Sequence, residues 1–457
     1  MRPRALCINP WIYDFAAYDL WIRPLGLLTI AGVLRQSGVE VSFLDCLDRS
    51  SEAEEQLPSG RRPSHDDFGC GHYRNERVAR PAVFAGVKRY FKRYGISTDL
   101  FEARLESLRR PDVVLVSSGM TYWYPGVFDV IARVRRRWPD APVVLGGVYA
   151  ALCRDHALSY SGADFVSGAS SLSQVLEVIS EALGWKVSAD PLDAARPPCP
   201  AYDLINHRGA AAVLTGRGCP YNCTYCASDR LEPEVTRFNP GHMAETIETL
   251  AKDEGVRDFA FYDDALLVNW ETHLKPILEE FISRGGNVRF HTPNGLHARF
   301  VTREAARLLK RSGFRTTCLS YESADLGRQG DSSGKVTTDE LGEALQALEH
   351  AGFQRSKISV YALMGLPGQS ETEVRETVET IHDLDASSYL AQFSPIPGTA
   401  EFERWEHANR EAALHEPLLH NNTAFPYLSG DDTLGPEQYQ RLRDLSHSLN
   451  AQLREKA

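Results

Sequence analysis

The chain has 457 residues, about three times a usual domain, so two domains plus extensions are expected, and 43% hydrophobic residues are enough to bury real cores. A formal charge of −11 with no long basic stripe argues against a general nucleic-acid binder, so no nucleic-acid partner is expected. No run of about 18 apolar residues appears, so no membrane span is expected, and Met1-Arg-Pro-Arg-Ala-Leu-Cys is too short in its apolar part for a secretion signal. A cytoplasmic protein is the expectation.

From Arg4 to about Leu183 short apolar runs alternate with amphipathic ones, which predicts a doubly wound sheet. Strands are predicted at 5–9, 40–45, 113–118, 142–146 and 164–166, with helices at 25–37, 126–137 and 172–182. The stretch from Asn9 to Leu28 reads as a long aromatic loop that is costly to expose. In such a sheet ligands bind beyond the carboxyl ends of the strands, which directs attention to Ser117-Ser118-Gly-Met120 and Gly146-Gly147-Val-Tyr149.

Residues 47–110 form an insertion too long for an ordinary connection. Its Arg74 to Arg93 part holds seven cations against one acid, Glu76, and reads either as a solvated helix face or as a site for a carboxylate or phosphate. Cys70 and His72 read as a loop or, less simply, half a metal site. Arg196-Pro-Pro-Cys-Pro-Ala is a linker by composition, which sets a domain boundary near residue 190.

The second unit reads as six repeats of strand then helix. Strands are predicted at 211–215, 258–262, 287–291, 316–320, 357–363 and 389–393, with helices at 241–254, 270–284, 302–312, 338–351 and 370–384. Thr337 with Glu340, and Ser370 with Glu373, have capping-box spacing. Six such units make a partial parallel barrel, whose chemistry sits at the carboxyl ends of the strands. The tail from residue 401 has a polar helical pattern at 436–454 and an apolar patch at Thr423-Ala-Phe-Pro-Tyr427, which fits a cap on the barrel.

Three of the nine cysteines, Cys219, Cys223 and Cys226, stand at C-x3-C-x2-C spacing just past the first strand of the second unit. Three thiolates leave a metal or cluster one position open for substrate or a small ligand. A zinc site would want a fourth ligand, and His207 and His242 are not at the usual spacing. The other six cysteines are scattered and form no disulfide framework, which points to a reducing compartment.

The run Thr215-Gly-Arg-Gly-Cys-Pro-Tyr-Asn-Cys-Thr-Tyr-Cys-Ala-Ser resembles the cysteine loop of the radical S-adenosylmethionine (SAM) superfamily, with Tyr225 as the aromatic before the last cysteine. The resemblance implies that Cys219, Cys223 and Cys226 hold a [4Fe–4S] cluster whose open iron chelates SAM and splits it to a 5′-deoxyadenosyl radical. The other strand ends match the superfamily in order. Tyr262-Asp263-Asp264 resembles the position contacting SAM's amino group, and Ser320-Tyr-Glu322-Ser the position near the ribose. Met364-Gly365-Leu-Pro-Gly resembles the turn beside adenine, Pro395-Ile-Pro-Gly-Thr fits the same family, and Asn294 joins the third-strand edge.

With that loop in view, residues 1–185 resemble the cobalamin-binding domain found ahead of many radical SAM cores. Pro24-Leu25-Gly26, Ser117, Ser118, Met120, Gly146, Gly147 and Tyr149 carry the likeness. The stretch Ile12-Tyr13-Asp-Phe-Ala-Ala lacks the histidine that ligates cobalt in some such domains, so cobalamin without a protein ligand is implied.

The fold class expected is therefore α/β: a doubly wound, Rossmann-like cobalamin-type domain at 1–185, a linker at 186–205, a partial (β/α)6 radical SAM barrel at 206–400 and a C-terminal helical extension at 401–457. The function implied is a cobalamin-dependent radical SAM methyltransferase acting on an unactivated carbon or phosphorus centre. Alternatives are a radical cyclisation, rearrangement or dehydrogenation without methyl transfer, and a non-catalytic metal-dependent binding module. The resemblance also implies a small-molecule or peptide substrate and an electron donor such as flavodoxin or ferredoxin. No residue is assigned as catalytic.

Overall fold

The computed structural model describes residues 2–50, 64–187, 195–206, 209–331, 336–428, 430 and 433–456. His207, weighed above as a zinc ligand, and parts of the predicted insertion and linker lie outside these residues. The chain divides into two compact units, residues 1–211 with 411–420, and 212–410 with 421–457.

The first unit contains β1 (Arg4–Asn9), β2 (Ile12–Asp14), β3 (Glu40–Asp45), β4 (Asn75–Arg77), β5 (Lys92–Tyr94), β6 (Val113–Val116), β7 (Val143–Leu145) and β8 (Phe165–Val166). Five of these form a parallel sheet in the order β3-β1-β6-β7-β8. Side chains alternate between its faces, as a strand requires. Leu6, Ile8, Val114 and Val116 pack with the helices Thr98–Ser107 and Tyr124–Arg137, whereas Ala5, Cys7, Val113 and Leu115 pack with Leu25–Gln36 and Leu172–Leu183. The strand order reverses between β1 and β6, so the ligand crevice of this sheet type lies beyond Asn9 and Val116.

Three expectations change here. The aromatic loop after β1 is largely interior: Trp11, Phe15 and Trp21 are buried, Trp11 Nε1 donates to Ile96 O at 2.7 Å, and β2 pairs with β5. The insertion supplies the cover, a three-stranded antiparallel sheet β2-β5-β4 plus the helix Thr98–Ser107, capped by Ser97. The cation-rich segment 74–93 is therefore a β-ribbon around a short 3-10 turn rather than a helix face, with Arg93 buried on Glu76 and Arg77 stacked 3.6 Å over Tyr90. Cys70 is buried while His72 is exposed against Tyr18, which fits the loop reading.

The predicted linker is also part of the first unit. Ala201 N donates to Leu28 O at 3.1 Å, Arg35 pairs with Asp203, and a Cβ on Gly32 would stand 2.8 Å from Cys199 O. The proline run lies flat on the helix Leu25–Gln36, so the boundary moves from about 190 to 211. From the predicted C-terminal extension, residues 411–420 pack with the first unit: buried His420 meets Thr121 Oγ1 at 3.0 Å and Glu416 accepts from Tyr124 Oη at 2.8 Å.

The second unit is built on β9 (Ala210–Val213), β12 (Asp258–Phe261), β13 (Arg289–His297), β14 (Phe314–Glu322), β15 (Ser359–Met364) and β16 (Ser387–Gln392), six parallel strands lying side by side in chain order. Between β9 and β12 come β10 (Gly216–Arg217) and β11 (Thr236–Arg237), an antiparallel ribbon. The helices stand at Pro240–Asp253, Leu274–Ser283, Arg303–Ser312, Thr338–His350 and Glu371–Asp383, with the capping box at Thr337 and Glu340 formed. The strand β13 runs six residues beyond its expected end at His291, because a register shift between Thr292 and Leu296 absorbs Pro293, Asn294 and Gly295 as a bulge. Pro and Gly read as terminators in sequence, and only the neighbouring strand lets them stay in the ladder.

Candidate radical site

The cysteine segment is an excursion from the ribbon β10–β11. The ribbon arms approach too closely for side chains at two positions: a Cβ on Gly216 would stand 2.6 Å from Thr236 O, and one on Gly218, at φ 73°, 2.6 Å from Glu234 O. The root of the loop is fixed from below. Thr215, fully buried, donates its N–H to both Asp263 oxygens at 3.0 Å and its hydroxyl to Oδ1 at 2.7 Å. That hydroxyl also accepts from His273 Nε2 at 2.7 Å, which assigns the proton to Nε2. Burial pushes the Asp263 carboxyl up to about 6, with the Thr215 bonds working against it. Burial, then the charge of Arg237, pushes His273 down to about 4.

Within the loop Cys223 is buried and Cys219 and Cys226 are partly exposed. Cys226 N donates to Cys223 O at 3.1 Å, and Cys226 Sγ lies 3.1 Å from Ser228 Oγ. Tyr225 turns its hydroxyl inward toward Glu322 and the thiols of Cys223 and Cys226. Burial, then Glu322, then those thiols push its pKa well above the ordinary phenol value. Among the described residues no three His, Cys, Asp or Glu side chains converge where one metal ion would sit. Thiolates on a cluster each take a different iron and so need not converge on one point.

The structure joins several predicted residues at the carboxyl ends of the strands. Asn294 Nδ2 donates to Tyr262 O at 2.9 Å, and a Cβ on neighbouring Gly295 would stand 2.3 Å from Ser320 Oγ. Tyr361 Oη donates to Pro293 O at 2.6 Å and locks the same bulge. Glu322 is buried at the end of β14 with φ 75°, a left-handed backbone that costs a non-glycine residue about 1–2 kcal/mol.

Other predicted residues do not join them. Asp264 is exposed near Glu232. The Asp263 carboxylate is spent on Thr215, so it anchors the loop root. Met364 is buried in a core with Val374, Leu434, Tyr439 and Leu442, and a Cβ on Gly365 would stand 1.5 Å from Tyr439 Oη. The C-terminal helix Pro436–Lys456 thus fills the flank of that turn, while Gln369 Oε1 accepts from Gly365 N at 2.7 Å and Leu366 N at 3.2 Å. Pro395 is buried ahead of Thr399, which caps the helix Ala400–Arg404.

The description of the radical SAM superfamily matches residues 213–381, the stretch that runs from the end of β9 through the helix after β15. The chain carries a radical SAM domain. An uncharacterized methyltransferase of Pyrococcus horikoshii, PH0819, is 27% identical over 229 residues, 46% of this chain and 46% of that one. The anaerobic magnesium-protoporphyrin IX monomethyl ester cyclase of Cereibacter sphaeroides is 23% identical over 210 residues, 44% of this chain and 33% of that one. The chain spans about half or less of the length of these curated relatives. Among solved structures, the radical SAM methyltransferase TsrM of Kitasatospora setae, with cobalamin and a [4Fe–4S] cluster bound, superposes with a TM-score of 0.66 at 17% identity, covering 90% of this chain and 76% of that one. The likeness at that identity is one of fold: two α/β units with parallel sheets and a helical C-terminal region.

Sequence reasoning missed Thr215, His273, Gln369, Glu401 and Tyr439 in the second unit. Thr215 opens the quoted motif and Glu401 follows the Pro-Ile-Pro-Gly-Thr run, so both had a signal nearby. Gln369 directly follows Met364-Gly-Leu-Pro-Gly and bonds that turn, so it too had a signal nearby, whereas His273 and Tyr439 act on residues distant in the chain and had none.

Ahead of the radical SAM domain, the first unit interlocks Ser118 with the Gly146-Gly147 turn. Ser118 Oγ donates to Gly146 O at 2.9 Å and accepts from Tyr149 N at 3.1 Å, and a Cβ on Gly147, at φ 92°, would stand 2.4 Å from Ser118 O. Ser117 N donates to Ile8 O at 3.3 Å beside the point of strand reversal. Ser167, just past β8, has a buried hydroxyl with no hydrogen-bond partner among the described residues. Pro24, Leu25 and Gly26 open the first helix, with nothing within 4 Å of a Cβ on Gly26, and Met120 precedes a 3-10 turn.

Two predicted cobalamin residues have their hydroxyls engaged within the first unit. Tyr149 is fully buried, its hydroxyl 2.6 Å from His156 Nδ1 and its ring stacked on Tyr124 at 5.6 Å. Tyr13 Oη is bound to Asp129 Oδ2 at 2.8 Å. The Tyr149 ring packs in the core of this unit, and the Tyr13 ring is partly buried against it. Among the described residues no helix is long and apolar enough to cross a membrane.

Proposed function

We propose that the chain is a cobalamin-dependent radical SAM methyltransferase acting on an unactivated carbon or phosphorus centre. The observation that carries the reading is the three-cysteine loop held past β9 at the carboxyl edge of a six-stranded parallel sheet. The donor set fits: three thiols are sulfur ligands for an iron–sulfur cluster and leave one iron open. Cys219, Cys223 and Cys226 would hold the [4Fe–4S] cluster, and Tyr262, Asn294, Ser320 and Glu322 would contact SAM. When bound, the cluster with SAM supplies a 5′-deoxyadenosyl radical and the corrinoid supplies a methyl group.

The chain's own residues align and shelter that chemistry. Asp263 and Thr215 fix the root of the cysteine loop, the half-buried Tyr225 turns a buried hydroxyl to its inner side, and the Pro293–Gly295 bulge seats Asn294 on Tyr262 O with Gly295 against Ser320. In the first unit the glycine turn at 146–147, Ser118 and the unpartnered Ser167 hydroxyl fit a polar ligand edge, and would hold cobalamin. No histidine follows β1, where the sequence reads Ile12-Tyr-Asp14, so cobalt is expected to carry no imidazole from this chain. A reductant such as flavodoxin or ferredoxin would deliver the electron, and the nine free cysteines favour a reducing, cytoplasmic setting.

The test is anaerobic reconstitution followed by mass spectrometry of the SAM products. Methyl transfer yields S-adenosylhomocysteine together with 5′-deoxyadenosine. Deoxyadenosine alone would favour the second reading, a radical cyclisation or rearrangement, which the likeness to a cyclase supports. Stoichiometric zinc with no iron would overturn both.

A further inference from the structure

The sheet of the radical SAM domain has two edge strands, β9 and β16, that do not pair with each other among the described residues. The segments that follow these two edges meet instead. Thr224, between Cys223 and Tyr225, donates Oγ1 to Glu401 Oε1 at 2.8 Å, and its carbonyl accepts from Glu401 N at 2.9 Å. Gly398 lies against the guanidinium of Arg230, from the short helix after the cysteine loop, with a Cβ there 3.6 Å from Cζ.

Glu401 is an expensive way to make this bridge. Its side chain is 0% exposed, Oε1 also accepts from Arg404 at 2.8 Å, and Oε2 is buried with no hydrogen-bond partner among the described residues. A buried carboxylate with one oxygen unsatisfied costs stability, and an apolar contact of the same size would hold two segments together more cheaply. Such a violation of local economy is expected at functional positions. The base of the bridge is fixed by packed rings: Phe402 lies 6.3 Å from Trp405, Trp405 5.3 Å from Phe425, and Phe425 5.2 Å from Phe393.

We infer that Thr224 and Glu401 form a clasp that closes the open side of the barrel across the cysteine loop, with Glu401 a positioning residue for the thiols of Cys223 and Cys226. The inference rests on the cluster reading above. The clasp holds one residue lying between two ligands, so its loss frees both thiolates together, and its buried charge contributes to the field at the cluster. Charge and hydrogen bonding around a cluster set its potential.

Anaerobically reconstituted full-length wild type is compared with Thr224→Val, Thr224→Ser and Glu401→Gln for iron content, release of iron to a ferrous chelator, and midpoint potential followed by electron paramagnetic resonance. Thr224→Val is expected to release iron about tenfold faster, the factor for one hydrogen bond of ordinary strength. Thr224→Ser keeps the donor and restores slow release. Glu401→Gln keeps the acceptor but loses the charge, and is expected to raise the midpoint potential. Wild-type release and potential in all variants, with only a lowered unfolding temperature, would overturn the clasp as a positioning device. Wild type that holds no iron would overturn the cluster reading instead.

Discussion

Replacing Asp263 with Asn distinguishes an anchor from a SAM ligand. The carboxyl is buried and its pKa is raised from 3.8 to about 6, so ionisation at neutral pH costs about 3 kcal/mol at about 1.4 kcal/mol per unit. A raised carboxyl pKa means that the native state holds its proton more tightly than the unfolded chain. Stability from this group therefore rises as pH falls from about 6 toward about 4, and the cost is fully present above 6. Asn removes that pH dependence. It also turns one of the two Thr215 N–H contacts at 3.0 Å into donor against donor, at about 1–3 kcal/mol, so the two effects roughly cancel at pH 7. The expected result is near-normal stability at pH 7, a flatter stability profile between pH 6 and 4, normal iron content and a SAM dissociation constant within about threefold of wild type, under 1 kcal/mol. Urea unfolding across that pH range and a SAM titration at matched iron content check it. A SAM affinity weakened more than about tenfold with the pH profile unchanged would show that Asp263 holds SAM directly.

Glu322→Gln is expected to keep the cluster and weaken SAM binding by about tenfold to a hundredfold, the value of a charged hydrogen bond of about 1.5–3 kcal/mol; an unchanged dissociation constant in folded, iron-matched protein would remove Glu322 from the site. His420, buried between Thr121 Oγ1 and Ala413 O, has its pKa pushed by burial from 6.5 to about 4. A depressed histidine pKa gives stability that is present above about 6.5 and lost as pH falls toward 4, about 2 kcal/mol of it by pH 5. His420→Gln should lose that share of the acid sensitivity in urea unfolding, and an unchanged difference between pH 7 and pH 5 would refute the assignment.

The sequence by itself determined both α/β units and the three-cysteine spacing on which the proposed cluster rests. Short apolar runs at fixed spacing can bury only as parallel strands between helices, so β1, β3 and β6 fall within a residue or two of their expected bounds, and the C-x3-C-x2-C spacing of Cys219, Cys223 and Cys226 is wholly local. Tertiary structure decided what depends on partners distant in the chain. Tyr13 and Tyr149 follow strands in the sequence, and only the fold brings their hydroxyls to Asp129 and His156. The cations of 74–93 read in sequence either as a helix face or as an anion site, and pairing of β4 with β5 places them along a ribbon. Glu401 reaches Thr224 across 177 positions, a contact that no periodicity encodes, because it exists only once six strands have brought the two edges of the sheet to the same end.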